Sequence, residues 1–366
     1  MKLAIIADAL DNQNAGVHVY TREMIKSLIR FNPGWEIILI RQKRDKQLNG
    51  VKQIVLKSIA LPVGYASLRL FILIPLILTK EKVDVVIEPA HFGPFNLPKR
   101  IRRITVIHDL TPILFPHLHR IHSQMLQRLF LKKILSKADL VVANSEHTKK
   151  DIINYFPFTD GKVIRIYPGV GLGEDSGKYS NTDFSLEKSP YFLTVGTIEP
   201  RKNHLLILKA FELFKQTDQY DTNLVVCGGS GWKSKPFFDA LNSSPAKDNV
   251  YITGYVDKAS LLTLYRFSIA MIYVSTYEGF GFPVAEAISA DTIPIVNYSS
   301  SLTEVTGEDG LYLKEGKAED LTSLMQYVTK LSEEERATLK AKLKKHIRKF
   351  SWDSFGKELW TAILDL

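Results

Sequence analysis

The 366-residue sequence predicts an α/β protein made of two doubly wound, parallel-sheet domains. Its length exceeds what one hydrophobic core ordinarily holds, so two domains are expected. Short apolar runs rich in β-branched residues alternate with helix-length amphipathic stretches, the pattern of parallel strands joined by helical crossovers. That alternation stops at a polar, glycine-bearing stretch and then starts again.

In the first half the strand candidates are Leu3–Ala7, Glu36–Ile40, Gln53–Leu56, Val83–Ile87, Ile104–Ile107, Leu140–Ala143 and Val163–Ile166, with helices such as Val17–Phe31 and Leu126–Ala138 between them. These strands lack polar alternation, which suits a sheet covered on both faces. Gly169 to Pro190 has no apolar period and carries Gly171, Gly173, Gly177, Asn181 and Asp183, so it reads as the interdomain connection. The expected boundaries are a first domain over 1–172, a linker over 173–190 and a second domain over 191–350. In the second domain, strand Tyr191–Val195 leads to helix Leu205–Phe214 and strands Leu224–Cys227 and Val250–Thr253. Helix Ser260–Phe267, strand Ala270–Val274, helix Pro283–Ala290 and strand Ile293–Val296 follow. Residues 351–366 form one more amphipathic helix.

A hydrophobic fraction of 45% with 24% charged residues describes a globular chain and excludes long disorder and collagen-like repeats. The single cysteine, Cys227, excludes an intrachain disulfide, lies in an apolar run and reads as a buried structural thiol, which fits a reducing cytoplasm. Met1 to Asp8 reads as a strand rather than a signal peptide, because its apolar part is too short. The net charge of +9 is uneven: residues 1–175 carry 26 Lys and Arg against 15 Asp and Glu, a net +11, and the remainder 22 against 24, a net −2. A basic half suits a polyanion such as an anionic membrane surface, or simply a solvated surface; nucleic acid finds no aromatic–basic motif in its support. Leu68–Leu78 is strongly apolar but too short to span a bilayer and is interrupted by Pro75. It fits a core helix or, with Lys99, Arg100, Arg102 and Arg103 in the same domain, a membrane-facing one.

Two loops carry the chemistry. In Glu278-Gly279-Phe280-Gly281-Phe282-Pro283-Val284-Ala285-Glu286 a strand has just ended, two glycines allow close backbone approach, and Pro283 suits the first turn of a helix. Free N–H groups and a helix N-terminus at the carboxyl end of a strand make an anion site. Glu286 is expected in the first helical turn, and the two carboxylates can each accept hydrogen bonds from vicinal hydroxyls of a sugar or ribose, or serve as plain helix caps. In Gly196-Thr197-Ile198-Glu199-Pro200-Arg201-Lys202-Asn203-His204, Asn203 is the expected N-cap. Two cations before a helix oppose its dipole unless an anion such as a diphosphate joins them, or unless they are simply solvated. Gly16 follows the first strand without dinucleotide-binding spacing, and His108-Asp109 ends another strand, where the histidine suits either a substrate hydrogen bond or a structural one. No zinc spacing, P-loop or nucleophile elbow occurs, and His117, His119 and His122 form no recognised ligand set.

Together with Ile107-His108-Asp109-Leu110, Val142-Ala143-Asn144-Ser145-Glu146, Val250–Val256 and Ser300-Ser301-Leu302-Thr303-Glu304-Val305, these residues make the chain resemble glycosyltransferase family 4 over most of its length. The resemblance implies a GT-B fold, two Rossmann-like domains facing across a cleft, with the C-terminal helix 351–366 crossing back to complete the first. It implies that Glu278 and the backbone of Gly279, Phe280 and Gly281 hold the donor sugar, that Glu286 binds the ribose, and that Arg201 and Lys202 bind the diphosphate. Gly16 is implied near the phosphates and acceptor, His108 near the transferred sugar, and Gly254 and Tyr255 near the base. No cofactor or metal is implied, cationic side chains and helix dipoles standing in. Two positions depart from the family: Thr197 stands where many members have Arg, and Asp291 where many have Gly after the helix.

The expected activity is retaining, metal-independent transfer of a hexose, mannose favoured, from a nucleoside-diphosphate sugar to a glycan or lipid-linked acceptor in bacterial surface polysaccharide synthesis. The expected location is cytoplasmic, peripheral on the inner face of the cytoplasmic membrane. The competing expectations are a nucleotide-sugar epimerase or hydrolase on the same fold, and a non-catalytic nucleotide-sugar-binding protein.

Overall fold

A computed structural model describes residues 1–12, 16–44, 48, 50–56, 65–118, 127–171 and 189–366. Nearly all of the linker expected over 173–190, and His119 and His122, lie outside the described residues. The chain divides into two compact units, Met1–Gly169 with Phe350–Leu366, and Val170–Lys349.

The first unit is built on seven parallel strands: β1 (Lys2–Ile6), β2 (Glu36–Arg41), β3 (Lys52–Val55), β4 (Val85–Glu88), β5 (Arg102–Ile107), β6 (Leu140–Ala143) and β7 (Val163–Arg165), in the order β3-β2-β1-β4-β5-β6-β7. Leu3 pairs with Ile37 on one side and Val85 on the other, so the winding direction reverses beside β1. The continuous apolar character read from the sequence has its cause here: β1 and β2 are buried on both faces. Ala4, Ile6, Ile38, Ile40 and Val86 pack against Ile74 and Leu78 of the helical segment 65–80, so the inner face of the Leu68–Leu78 run is core.

The second unit has six parallel strands: β8 (Tyr191–Val195), β9 (Asn223–Cys227), β10 (Val250–Gly254), β11 (Met271–Tyr273), β12 (Pro294–Asn297) and β13 (Leu311–Leu313), in the order β10-β9-β8-β11-β12-β13. The reversal falls between β8 and β11, and ligands of doubly wound sheets bind at the strands' carboxyl ends at such a point. Cys227 is buried, its thiol pushed up by burial, as a structural thiol is.

The C-terminal helix, Trp352–Leu364, belongs to the first unit. It lies against the helix Gly16–Arg30, with Trp360 Nε1 donating to the Leu28 carbonyl at 2.9 Å. Gly356 lets the two helices touch, since a Cβ there would lie 2.9 Å from Ser27 Cβ.

Asn203 stands at the N-cap of the helix His204–Lys215 as expected, but its side chain makes no capping bond: the residue is left-handed, at φ 55°, and its amide donates to the Val274 carbonyl at 3.1 Å. Local expectations are corrected at two positions. Glu286 lies beyond the first turn, because the helix begins at Phe282. Asp291 does adopt the left-handed geometry, at φ 61°, and Lys344 Nζ binds both of its carboxylate oxygens at 2.9 Å.

Candidate active site

Arg201 and Lys202 sit in a short turn, Pro200–Lys202, between β8 and the helix His204–Lys215. The turn is stitched to the segment after β11: the Arg201 carbonyl accepts from Thr276 N at 2.9 Å and from Ser275 Oγ at 3.2 Å. Ser300 Oγ accepts from Glu278 N at 3.0 Å, and Ser301 Oγ donates to the Glu278 carbonyl at 2.8 Å. Main-chain anchors on both sides thus bring two cations and a carboxylate together at the switch point of the second sheet.

The contacts are close. Arg201 Nη1 and Lys202 Nζ each lie 2.6 Å from Glu278 Oε1. Arg201 Nη2 binds Glu199 Oε1 at 2.7 Å, and Nη1 also donates to the Tyr277 carbonyl at 2.8 Å. Lys202 donates to the Tyr273 hydroxyl and lies 4.5 Å from that ring's centre. Burial pushes the Glu278 carboxyl up, but Arg201 and Lys202 outweigh it and hold it down at about 2. Burial works against the Arg201 guanidinium too, yet Glu278 and Glu199 keep it firmly charged. Lys202 moves the other way: burial, then Arg201, lower its affinity for the proton. The site is therefore a preformed charge cluster in a poorly solvated setting, where electrostatic contacts act strongly.

Gly281 is left-handed, at φ 97°, and begins the helix Phe282–Ser289, a place for which glycine is suited. Phe280 is buried against Phe282, their centroids 5.1 Å apart, so in this loop Phe280 offers a ligand its main chain and not its ring. Gly279 lies between Glu278 and that ring. Glu286 Oε2 accepts from the buried Tyr265 hydroxyl at 3.2 Å, and burial pushes its carboxyl up to about 7. Gly254, at φ 68°, turns the chain so that Tyr255 is 78% exposed, its hydroxyl 3.2 Å from Thr197 Oγ1. Arg201, Lys202 and Glu278 thus meet directly, Tyr255 meets Thr197 five residues before Lys202, and Glu286 stands in the second turn of the helix that follows the Glu278 loop.

In the first unit, Gly16 opens its helix, and Tyr20 one turn on brings its ring 4.7 Å from the ring of His108, just after β5. His108 is buried, its Nε2 2.7 Å from the Pro89 carbonyl and its main-chain N–H donating to His91 Nε2 at 2.8 Å. Burial, with His91 adding to it, holds the imidazole down at about 4, so it is neutral at physiological pH and donates to Pro89 through Nε2.

Glu199 and Tyr273, which complete the cation cluster, are invisible as site residues in the sequence, since nothing local marks them. Gly228, Gly229 and Gly231 were legible and missed: three glycines follow a strand. A Cβ at Gly228 would lie 2.1 Å from the Gly196 carbonyl oxygen, and one at Gly229 would lie 2.4 Å from the Tyr255 ring.

Two doubly wound units, one with a preformed charge cluster at its switch point, define an α/β class whose ligands bind at the carboxyl ends of the strands. Residues 178–347 match the family described as Glycosyl transferases group 1 and residues 14–174 match Glycosyltransferase Family 4, so the chain belongs to these glycosyltransferases. It is 26% identical over 274 residues to O-antigen chain mannosyltransferase B of Escherichia coli, covering 72% of this chain and 71% of that protein. It is 23% identical over 270 residues to the serotype-specific mannosyltransferase WbdA of Escherichia coli, 69% of this chain but only 32% of that longer protein. Its fold is similar to Anabaena Alr3699/HepE, solved in complex with UDP and glucose, with a TM-score of 0.74 at 13% identity over the whole of both chains. The expected GT-B fold class, two Rossmann-like domains, is borne out.

Proposed function

We propose that this glycosyltransferase moves a hexose, mannose before other sugars, from a nucleoside-diphosphate sugar to a bacterial surface-glycan or lipid-linked glycan acceptor, retaining the anomeric configuration and using no metal. The observation that carries this reading is the convergence of Arg201 and Lys202 on one carboxylate oxygen of Glu278, each at 2.6 Å. Arg201 is committed to Glu199, Glu278 and the Tyr277 carbonyl, so it orients the cluster. Lys202 has three N–H donors, and Glu278 and Tyr273 take two of them. The third serves the diphosphate, whose charge grows as the sugar leaves. Glu278, held ionised, accepts from hydroxyls of the transferred sugar, and Glu286 from the ribose. Gly254 and Tyr255 flank the base, and Gly16 and His108 serve the acceptor side of the reaction. The mannose and surface-glycan assignments draw their support from the relatives' names. Retention of configuration draws its support from family membership. We further propose a cytoplasmic enzyme held at the membrane's inner face, which suits the net +11 of residues 1–175.

The test is product analysis with GDP-mannose and other nucleotide sugars, each with and without a lipid-linked glycan acceptor. Acceptor-dependent appearance of an α-linked hexose on the lipid is the expected result. Free or isomerised sugar formed equally well without acceptor would overturn it in favour of a hydrolase or epimerase.

A further inference from the structure

Residues 65–80 form a helical segment with two apolar faces, one of which packs into the core. Ile74, Pro75 and Leu78 are buried inward. Outward, Leu68, Ile72 and Leu76 are 41%, 50% and 62% exposed, and their spacing of four places them in one row. A helix at a water-facing surface ordinarily carries polar residues along such a row.

The rotation that points this row outward is fixed. Arg69, though charged, is buried; both of its terminal nitrogens fork onto Asp8 just after β1, with Nη2 2.7 Å from Oδ1. There the helix widens, Ile74 N–H donating to the Arg69 carbonyl. Asn96 donates to the Phe71 carbonyl, and the Phe71 ring packs at 4.8 Å on Phe95 and 5.7 Å on Phe130. The apolar row therefore cannot roll into the core.

The surroundings are basic. Lys80, Lys82, Lys99 and Arg100 are exposed at the segment's C-terminal end, where Arg100 Nη2 donates to the Thr79 carbonyl at 3.2 Å. Glu81 beside them is paired with Lys52 at 2.5 Å. Lys133 Nζ stands 4.3 Å over the Phe95 ring, and Leu129, next to Phe130, is 61% exposed. No helix among the described residues is long and apolar enough to cross a membrane.

We propose that this face docks on an anionic lipid bilayer: Leu68, Ile72 and Leu76 enter the acyl boundary while Lys80, Lys82, Lys99 and Arg100 meet lipid phosphates. It rests on the reading of a membrane-held enzyme and gives that reading a surface. A row of large apolar side chains bordered by exposed cations matches an interface that is apolar below and anionic above.

The experiment is flotation of the full chain with phosphatidylcholine vesicles and with phosphatidylglycerol-containing ones, at low and high salt. Wild type is expected on the anionic vesicles, with binding weakened by salt. Combined Leu68→Ser, Ile72→Ser and Leu76→Ser should weaken it by about tenfold or more, while circular dichroism and the melting temperature hold, since those side chains are exposed. Lys80→Glu with Arg100→Glu should weaken it as well. Undiminished binding by the triple variant overturns the docking face and leaves the membrane-held reading standing. Failure of wild type to bind either vesicle overturns both. If light scattering shows a wild-type dimer that the triple variant turns into a monomer, the row is a contact between copies and the proposal falls.

Discussion

In the proposed reading, the charge states of Lys202 and Glu286 bear on how the donor is bound and used. Lys202 is a half-buried cation between Glu278 and Tyr273, and in the proposed reading it faces the leaving diphosphate. Lys202→Ala is expected to lower kcat by about a hundredfold or more, the scale of one lost preorganised donor, with activity unchanged by EDTA. Activity abolished by EDTA and restored by magnesium or manganese would show that a metal holds the diphosphate instead. For Glu286, burial pushes the carboxyl up to about 7. The folded protein therefore holds a proton there that the unfolded chain releases near 4.5, and this residue's contribution to stability falls as pH rises from that value to about 7. A ribose accepted by the ionised carboxylate must displace that proton. Affinity for the nucleoside diphosphate should then rise between about pH 6 and pH 8 with proton release, and calorimetry in buffers of different ionisation enthalpy reads it directly. Glu286→Gln should abolish the proton release and raise the donor KM, whereas Glu278→Gln should lower kcat. If Glu286→Gln still releases the proton, the ribose assignment is wrong.

At the scale of elements, the loop from Glu278 to Pro283 is proposed to hold the donor through its backbone. Gly281 is left-handed, and a Cβ there would lie 2.8 Å from Leu302 Cδ2. Gly281→Ala should cost about 1–3 kcal/mol of stability through strain and crowding, read by chemical denaturation, and should weaken nucleotide binding besides. A variant as stable as wild type would show that the loop relaxes freely. Much of the element level was readable: strand and helix order followed from apolar periodicity, and the Ser332-x-x-Glu335 capping box that opens helix Glu333–Ile347 was there to be read. β13 was not, because three residues after Gly310 give no period. Nor was the geometry of Asn203, whose amide is held by the Val274 carbonyl, a partner far along the chain.

For the whole molecule, the chain leaves the first unit and returns to it. Trp360 is buried against the helix Gly16–Arg30, with its indole N–H bonded to Leu28. Trp360→Ala should cost about 3–5 kcal/mol, as for other buried tryptophans. Because the lost contact lies within the first unit, scanning calorimetry should show that unit's transition lowered, with nucleotide stabilisation of the second retained. A uniform downward shift of a single transition would mean that the units unfold as one.

The sequence by itself determined the class: two doubly wound halves, the glycine-bearing loops after strands and the cations before a helix, because these rest on periodicity and on residue types that act locally. It also placed the charge, since the basic half is a matter of counting. Tertiary structure alone decided that Arg201, Lys202 and Glu278 share one oxygen, that Glu199 and Tyr273 join them, and that Glu286 holds its proton to about 7. It alone turned Leu68, Ile72 and Leu76 outward while burying Arg69 beside them. Charge state and burial depend on neighbours brought in from distant strands, and a one-dimensional pattern carries no record of which neighbours those are.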